Sequence, residues 1–275
     1  MEMLPTVDFC GHEITRLICG GNPISGYSHL SGELDREMLD YYTMPNIQAL
    51  LDECWRNGIN AIQTRGDRLL MRAMLEHRQK GGRMRWIAQT ASEFASIPGN
   101  VAEIARYGAI AIYNHGTHTD RCWQAGRIDE VRDIVKAIHD HGLPAGLGSH
   151  IPEVIEYAEE KGWETDFYMC CLYNLARGYK PAPAMDADPY AIDVYLPEDP
   201  TRMTAVMRAT PKPCIGFKVM AAGRNCATPR ATRDALALAL GNIKSGDVID
   251  VGMLQKHRNQ AAENARFVRE ILAGP

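Results

Sequence analysis

Three side chains suited to proton transfer lie at or near the ends of apolar runs. His115 and His150 each follow an apolar run directly, and Lys218 lies inside one. Imidazoles exchange protons near neutral pH, and a lysine among apolar residues is costly unless it meets an anion or a carbonyl group. We therefore predict that His115, His150 and Lys218 are catalytic, with Lys218 stabilising an enolate or alkoxide or forming a Schiff base.

The two histidines are also candidate metal ligands. Neighbouring strands of a sheet lie about 4.8 Å apart, so imidazoles at the ends of consecutive strands can reach one ion. The expected ion is divalent, Zn²⁺ or Mn²⁺, held by His115 and His150. The candidates for further ligands are His118 and Asp120, in the predicted loop after His115, and Cys171.

Neutral hydrogen-bonding groups and a few cationic side chains follow the other apolar runs. Such a lining suits a small polyhydroxylated or keto compound better than an apolar one. The predicted substrate-binding residues are Asn22, His29, Gln63, Arg65, Gln89, Tyr113, Asn174 and Arg224.

A regular alternation of short apolar runs and longer amphipathic segments must position these residues. Strands are predicted at residues 14–19, 59–64, 85–89, 109–114, 145–149, 166–173, 214–220 and 248–252. Helices are predicted at residues 46–57, 69–80, 100–107, 128–141, 152–161, 200–209, 229–243 and 260–272. Eight strand–helix units of about 34 residues predict an α/β fold, a (β/α)8 TIM barrel forming a single domain over residues 1–275.

The connections support a barrel. Helix-to-strand turns are short, whereas two strand-to-helix connections are long, at about residues 22–45 and 174–199. Barrels carry their long loops at the functional mouth, so we expect these two to cover it. An open doubly wound sheet is the alternative, but residues 18–23 read Ile-Cys-Gly-Gly-Asn-Pro and lack its GxGxxG phosphate loop.

Strand alternation predicts which side chains face the barrel interior. Assigning the bulky aliphatic residues to the helix side places Tyr113, His115 and His150 inside. The same rule places Ile215 and Phe217 outside and Lys218 inside.

Composition excludes several classes of protein. The 275 residues are 45% hydrophobic and 23% charged, which excludes disordered and fibrous chains. A net charge of −4 argues against nucleic-acid binding, and there is no apolar stretch of about 18 residues to span a membrane. We expect a cytoplasmic protein with a small-molecule substrate, no nucleic-acid or membrane partner and reduced cysteines. Barrels commonly dimerise, so both a monomer and a homo-oligomer stay open.

Short motifs in chain order resemble the aldo-keto reductases. They are Ile-Thr-Arg-Leu at 14–17, Gly-Gly-Asn-Pro at 20–23, Gly-Ile-Asn-Ala-Ile-Gln-Thr at 58–64, His115, Tyr-Asn at 173–174 and residues 260–264. The resemblance implies a TIM barrel that reduces carbonyls with NADPH through an Asp, Tyr, Lys and His tetrad. In this chain the aspartate position is Gln63, the tyrosine position falls near Arg68, the lysine position falls near Thr90, and only His115 is retained.

Three functions stay open on this basis. The leading hypothesis is a barrel enzyme of lyase, isomerase or epimerase type. It would act on a small oxygenated, sugar-like or keto-acid metabolite by acid–base or metal-assisted proton transfer. The second is a divergent NAD(P)-dependent oxidoreductase, disfavoured by the missing tetrad, in which Arg258 and Asn264 would suit an adenine nucleotide. The third is a non-catalytic ligand-binding barrel.

Overall fold

Eight parallel strands close into a barrel in the computed structural model, which describes residues 2–91, 94–178 and 193–274. The barrel strands are β3 (Leu17–Gly20), β4 (Ala61–Arg65), β5 (Arg85–Gln89), β6 (Ala111–Asn114), β7 (Ala145–Ser149), β8 (Phe167–Cys171), β9 (Cys214–Phe217) and β10 (Val248–Gly252). They pair in chain order, and β10 pairs with β3 to close the ring. The predicted (β/α)8 TIM barrel is confirmed, and the predicted strands 85–89, 145–149 and 248–252 have the observed bounds.

Ten helices surround the strands in the described part of the chain. They are α1 (Gly32–Tyr41), α2 (Met44–Arg56), α3 (Arg68–Gln79), α4 (Ile97–Arg106), α5 (Gly116–Gln124), α6 (Asp129–His139), α7 (Pro152–Glu160), α8 (Asp199–Ala209), α9 (Pro229–Asn242) and α10 (Gln260–Ala273). Short 3₁₀ turns occur at Leu175–Gly178 and Ala221–Gly223. None of the helices described is long and apolar enough to cross a membrane.

An antiparallel hairpin, which the sequence analysis missed, precedes the barrel. The predicted strand 14–19 is divided between β2 (His12–Thr15) and β3, and β2 pairs with β1 (Thr6–Phe9). The chain bends at Arg16, whose N–H donates to the carbonyl of Pro5. Phe9 packs on Phe167 of β8 with ring centroids 4.8 Å apart and joins the apolar cluster inside the strands. The hairpin therefore closes the N-terminal end of the barrel.

The predicted orientation of β9 is wrong. Ile215 belongs to the cluster inside the barrel, and Phe217 packs against that cluster, whereas the sequence analysis placed both on the helix side. The reason is Gly216, where an added Cβ would lie 3.4 Å from Met207 of α8. A helix side chain fills the space that a bulky strand residue would otherwise occupy, so the alternation of β9 is shifted by one residue.

Two stretches predicted as loops contain helices. The connection at 22–45 holds α1, which Ser31 caps by accepting a hydrogen bond from the Leu34 N–H. The stretch after β6 forms α5, which begins directly after His115. Of the predicted loop 174–199, residues 179–192 lie outside the described residues.

Glycine at 148 allows β6 and β7 to pack closely beneath the mouth. A Cβ there would lie 2.8 Å from the carbonyl oxygen of Asn114 and 3.0 Å from the Tyr113 ring. We expect Gly148→Ala to lower the free energy of unfolding by about 1–3 kcal/mol, because the crowded atoms include backbone that cannot move aside. The matched control is Gly241→Ala in α9, which has open space around it and should be neutral or stabilising by up to about 1 kcal/mol. Equal urea midpoints for the two variants would contradict this account.

Candidate active site

A cavity of about 560 Å³ opens at the C-terminal ends of the strands. Its volume is in the range of small-molecule sites. Side chains from the strand ends and from the connection after β3 line it. The predicted site residues in its lining are Asn22, His29, Gln63, Arg65, Gln89, Tyr113, His115, His150 and Lys218. The structure thus brings the three predicted catalytic residues to one cavity.

His150 follows β7 and is oriented by a buried carboxylate. Its Nδ1 lies 2.6 Å from Oδ2 of Asp120, which is fully buried on α5. Asp120 Oδ1 also accepts hydrogen bonds from the Ser149 hydroxyl at 2.6 Å and from the His150 backbone N–H at 3.2 Å. A carboxylate accepts a hydrogen bond from Nδ1–H, so Nε2 of the neutral ring carries the lone pair.

His115 has the opposite hydrogen-bonding role. It caps α5, and its Nδ1 accepts the Thr117 backbone N–H at 3.2 Å, which leaves the proton of the neutral ring on Nε2. Burial lowers the pKa of His115 to about 3, with further lowering from the nearby His150 and Arg65. His115 is therefore a neutral hydrogen-bond donor at physiological pH, whereas His150 is a proton acceptor.

These roles do not fit a divalent metal ion held between the two rings. A metal would take the Nε2 lone pair of His115 and force a proton onto Nδ1, against the Thr117 N–H. Asp120 is already engaged by His150, and His118 contacts Asn114 and Cys122 at 3.2 and 3.7 Å. In the described ranges no group of three or more His, Cys, Asp or Glu side chains could hold a metal ion. The acid–base version of the predicted chemistry is the one that these side chains fit.

Lys218 reaches the cavity by a backbone turn. β9 ends at Phe217, and Lys218 has a left-handed φ of 63°, a conformation that costs a non-glycine residue about 1–3 kcal/mol and is typical of functional sites. Burial lowers the pKa of Lys218 to about 8, against the opposing effects of Cys171, Asp193 and Asp250. The amine is therefore partly neutral near physiological pH.

Asp250 is a cavity residue that the sequence analysis missed. It lies on β10 inside the barrel and is only 8% exposed, and its Oδ1 has no hydrogen-bond partner in the described structure. Burial raises its pKa to about 8, although Lys218 opposes that rise. Glycine at position 20 leaves room for it, because a Cβ there would lie 3.0 Å from Oδ1. An acidic residue inside an apolar strand was the signal available, the same signal that identified Lys218.

Three neighbouring strands provide a linked set of neutral polar groups. Gln63 Nε2 donates to the Tyr113 hydroxyl at 2.7 Å, and that hydroxyl donates to Gln89 Oε1 at 2.9 Å. Burial, with Asp250 nearby, raises the pKa of Tyr113 well above its usual value. The phenol is thus a fixed neutral group, unlike the acidified tyrosine implied by the aldo-keto reductase resemblance.

The other positions of that tetrad are also replaced. Arg68 opens α3, where its guanidinium lies over the Phe94 ring at 5.9 Å, and it is not among the cavity residues. Thr90 is buried, and its hydroxyl accepts the His115 backbone N–H at 3.0 Å. The residue types at these tetrad positions therefore differ, whereas His115 is retained and its backbone is held by the Thr90 hydroxyl.

The long connections meet over the mouth. His29, from the connection after β3, places Nδ1 3.1 Å from Oδ2 of Asp193, which follows β8. Burial and the charge of Lys218 lower the pKa of His29, so a neutral ring donates to the carboxylate. Arg224 donates to the His29 carbonyl at 3.2 Å and lies 4.2 Å from the Tyr195 ring centroid. Arg224 is not among the residues lining the cavity and holds these connections together, and its role in substrate binding stays a prediction.

Asn174 and Cys171 lie in a second, smaller cavity. It has a volume of about 250 Å³ and borders the first cavity at His150. Asn174 therefore lines the neighbouring cavity, and its role in substrate binding stays a prediction. Burial raises the pKa of the Cys171 thiol far above its usual value.

Comparisons with known proteins support the fold. An aldo-keto reductase from Bacillus halodurans in its holo form superposes with a TM-score of 0.61, at 11% identity over 98% of this chain and 96% of that one. A truncated 3-deoxy-D-arabino-heptulosonate 7-phosphate synthase from Thermotoga maritima gives 0.52, at 12% identity over 98% and 92%. A native KDPGal structure gives 0.50, at 12% identity over 94% and 95%. No protein-family model and no curated protein sequence matches the chain. These similarities show the TIM-barrel fold.

The opposed histidine roles predict an NMR pattern. We expect ¹⁵N spectra to show His115 neutral with its proton on Nε2 between about pH 5 and 8, and His150 with its proton on Nδ1.

The lowered pKa of His115 also predicts how stability depends on pH. Below pH 6.5 an unfolded histidine takes up a proton, whereas native His115 stays neutral down to about pH 3. The free energy of unfolding should therefore decrease as the pH is lowered from 6.5 to about 3. His115→Gln should reduce this pH dependence of the free energy of unfolding, whereas His139→Gln, on the surface of α6, should not reduce it. A His115 ring that titrates near pH 6.5 would disprove the assignment.

Proposed function

We propose that the protein is an enzyme that transfers protons on a small carbonyl-bearing metabolite, of hydroxyketone or keto-acid type, in an isomerase or lyase reaction. The observation that carries the proposal is the pairing of a proton acceptor and a neutral donor at one cavity. His150, with its lone pair on Nε2, removes a proton from a carbon next to the carbonyl group. His115 donates Nε2–H to the oxygen on which negative charge develops.

The remaining cavity residues suit such a substrate. Gln63, Gln89 and Tyr113 offer neutral hydrogen-bonding groups for hydroxyl or carbonyl oxygens, and Arg65 offers a cation for a carboxylate. The Arg65 guanidinium lies 5.6 Å from the Tyr27 ring centroid and 3.6 Å from Asp67, which orients it at the mouth. A small oxygenated molecule would thus be bound at several points around the reacting carbon.

A divergent NAD(P)-dependent oxidoreductase is the second candidate, favoured by the shape of the cavity. Its lining extends past Lys218 to Arg258, Gln260 and Asn264 near the start of α10. The cationic Arg258 and the amide Asn264 would hold the adenine nucleotide. The bound cofactor would supply a hydride to the substrate carbon, and His115 would donate its hydrogen bond to the same carbonyl oxygen.

We predict that the protein catalyses deuterium incorporation from D₂O into carbonyl compounds, at the carbon beside the carbonyl group. His150→Ala should slow this exchange by about 10²–10⁴-fold, since a positioned general base contributes about that much. The control is His139→Ala, a histidine that pairs with Asp166 at 2.8 Å on another part of the surface. ¹H NMR of hydroxyketones and 2-oxo acids measures the rate. Undiminished exchange in His150→Ala, or none in the wild type, would refute the proposal.

Nicotinamide binding is tested separately by thermal unfolding. If the second candidate is correct, NADPH at about 100 times its Kd should stabilise the native state by about 2.7 kcal/mol and raise Tm. Arg258→Ala should remove most of that rise. Arg266→Ala, on the exposed face of α10 where it pairs with Glu270 at 2.8 Å, should not. An unchanged Tm at millimolar NADPH would reject this candidate, and ligand binding without exchange or reduction would favour the non-catalytic barrel.

A further inference from the structure

We propose that Lys218 binds the substrate covalently, through an imine between its Nζ and a ketone or aldehyde carbon. The inference rests on the proposed function in using the same cavity. It deepens that function by making a reactive carbonyl group the feature that defines the substrate class.

The partners of Lys218 set it apart from other lysines. Lys212, Lys244 and Lys256 each place Nζ 2.9–3.0 Å from a carboxylate oxygen, as surface lysines commonly do. Lys218 lines the cavity and forms no hydrogen bond or ion pair in the portion of the chain that the structure describes. Its left-handed backbone conformation holds the amine at the end of β9, facing a space of about 560 Å³. An amine without a carboxylate partner is available as a nucleophile.

The groups around Lys218 favour the neutral amine. The charged and titratable groups near it are Asp250 on β10, Cys171 on β8, Asp193 after β8, and Arg224 and His29 from the covering connections. Burial outweighs the carboxylates and lowers the pKa of Lys218 to about 8. Burial also raises the pKa of Asp250 to about 8, so its carboxyl group holds a proton at neutral pH. A nucleophilic amine therefore lies directly after β9, and a neutral acid lies on the adjacent strand β10.

The chemistry balances with these two groups and water. Nζ forms a bond to the carbonyl carbon, and the carbonyl π electrons move to oxygen. Negative charge develops on that oxygen at this step, so the His115 Nε2–H donates to it here, and the oxygen then takes the proton of Asp250. The nitrogen of the carbinolamine then loses a proton to the Asp250 carboxylate, and the C–O bond breaks as the oxygen takes that proton and leaves as water. The products are one protonated imine, one water and the Asp250 carboxylate, from one neutral amine, one carbonyl group and one protonated Asp250 carboxyl group. A protonated imine makes the neighbouring C–H more acidic, which is the proton that His150 would remove.

Borohydride trapping tests the imine. Wild-type protein is incubated with dihydroxyacetone in one arm and with pyruvate in the other, and sodium borohydride then reduces any C=N bond to a secondary amine. Intact mass and peptide mapping should show one adduct, on Lys218, whose added mass is that of the probe less one oxygen atom. The arm that gives the adduct identifies a hydroxyketone or a 2-oxo acid as the substrate type.

Three variants make the result specific. Lys218→Met should abolish the adduct while keeping the native circular dichroism and melting transition. Lys212→Met, which removes an ion-paired lysine outside the cavity, should leave it unchanged. His150→Ala should also keep the adduct, because imine formation precedes the carbon proton transfer.

The outcomes separate the two proposals. No adduct on Lys218 with either probe, or equal labelling of several lysines, would overturn the imine. Deuterium exchange that persists in Lys218→Met would overturn it too and leave the proposed function standing. An adduct on Lys218 without deuterium exchange in the wild type would support the imine and refute the proton transfer.

Discussion

The geometry of the mouth depends on one buried carboxylate, that of Asp120. It accepts hydrogen bonds from the Ser149 hydroxyl and from both the backbone and the ring of His150, and these bonds fasten α5 to the end of β7. A buried charge without such partners would be strongly unfavourable, so the helix and the strand end must keep this arrangement. The same helix begins at His115. One anchor therefore fixes the positions of both imidazoles.

The barrel is divided into an apolar end and a polar end, and this division controls the charges at the mouth. Phe9, Ile18, Ile87 and Phe167 belong to the apolar cluster inside the strands, and the neutral Gln63, Gln89 and Tyr113 lie on the side of the cavity. Burial there lowers the pKa of Lys218 and raises that of Asp250, which brings the two values toward each other.

The sequence was sufficient to predict the barrel and the residues that end β6 and β7. Apolar runs separated by amphipathic segments specify the strands, and His115 and His150 follow those runs directly. The rule failed on β9, because strand alternation does not reveal that Met207 of α8 fills the space beside Gly216. Lys218 was still found, but it reaches the cavity through a left-handed turn that no pattern of hydrophobicity encodes.

Other parts of the site depend on contacts that are distant in sequence. The pairing of Asp120 with His150 joins residues 30 positions apart, and that of His29 with Asp193 joins residues 164 apart. Neither pairing can be predicted from the spacing of its two residues in the sequence. The helical turn after His115 was also missed, because α5 has a polar sequence and its first N–H groups are capped by an imidazole instead of a typical serine or aspartate.

Among the described residues, the hairpin under the barrel closes the end of the cavity that lies opposite the mouth. Phe9 lies at the far end, and His29, Asp193 and Arg224 lie over the mouth. A small molecule that comes in through the mouth therefore passes the covering connections first and meets the polar strand ends before the apolar interior. The depth to which it goes in is limited by the apolar cluster, so the reacting group would be the part of the molecule that leads.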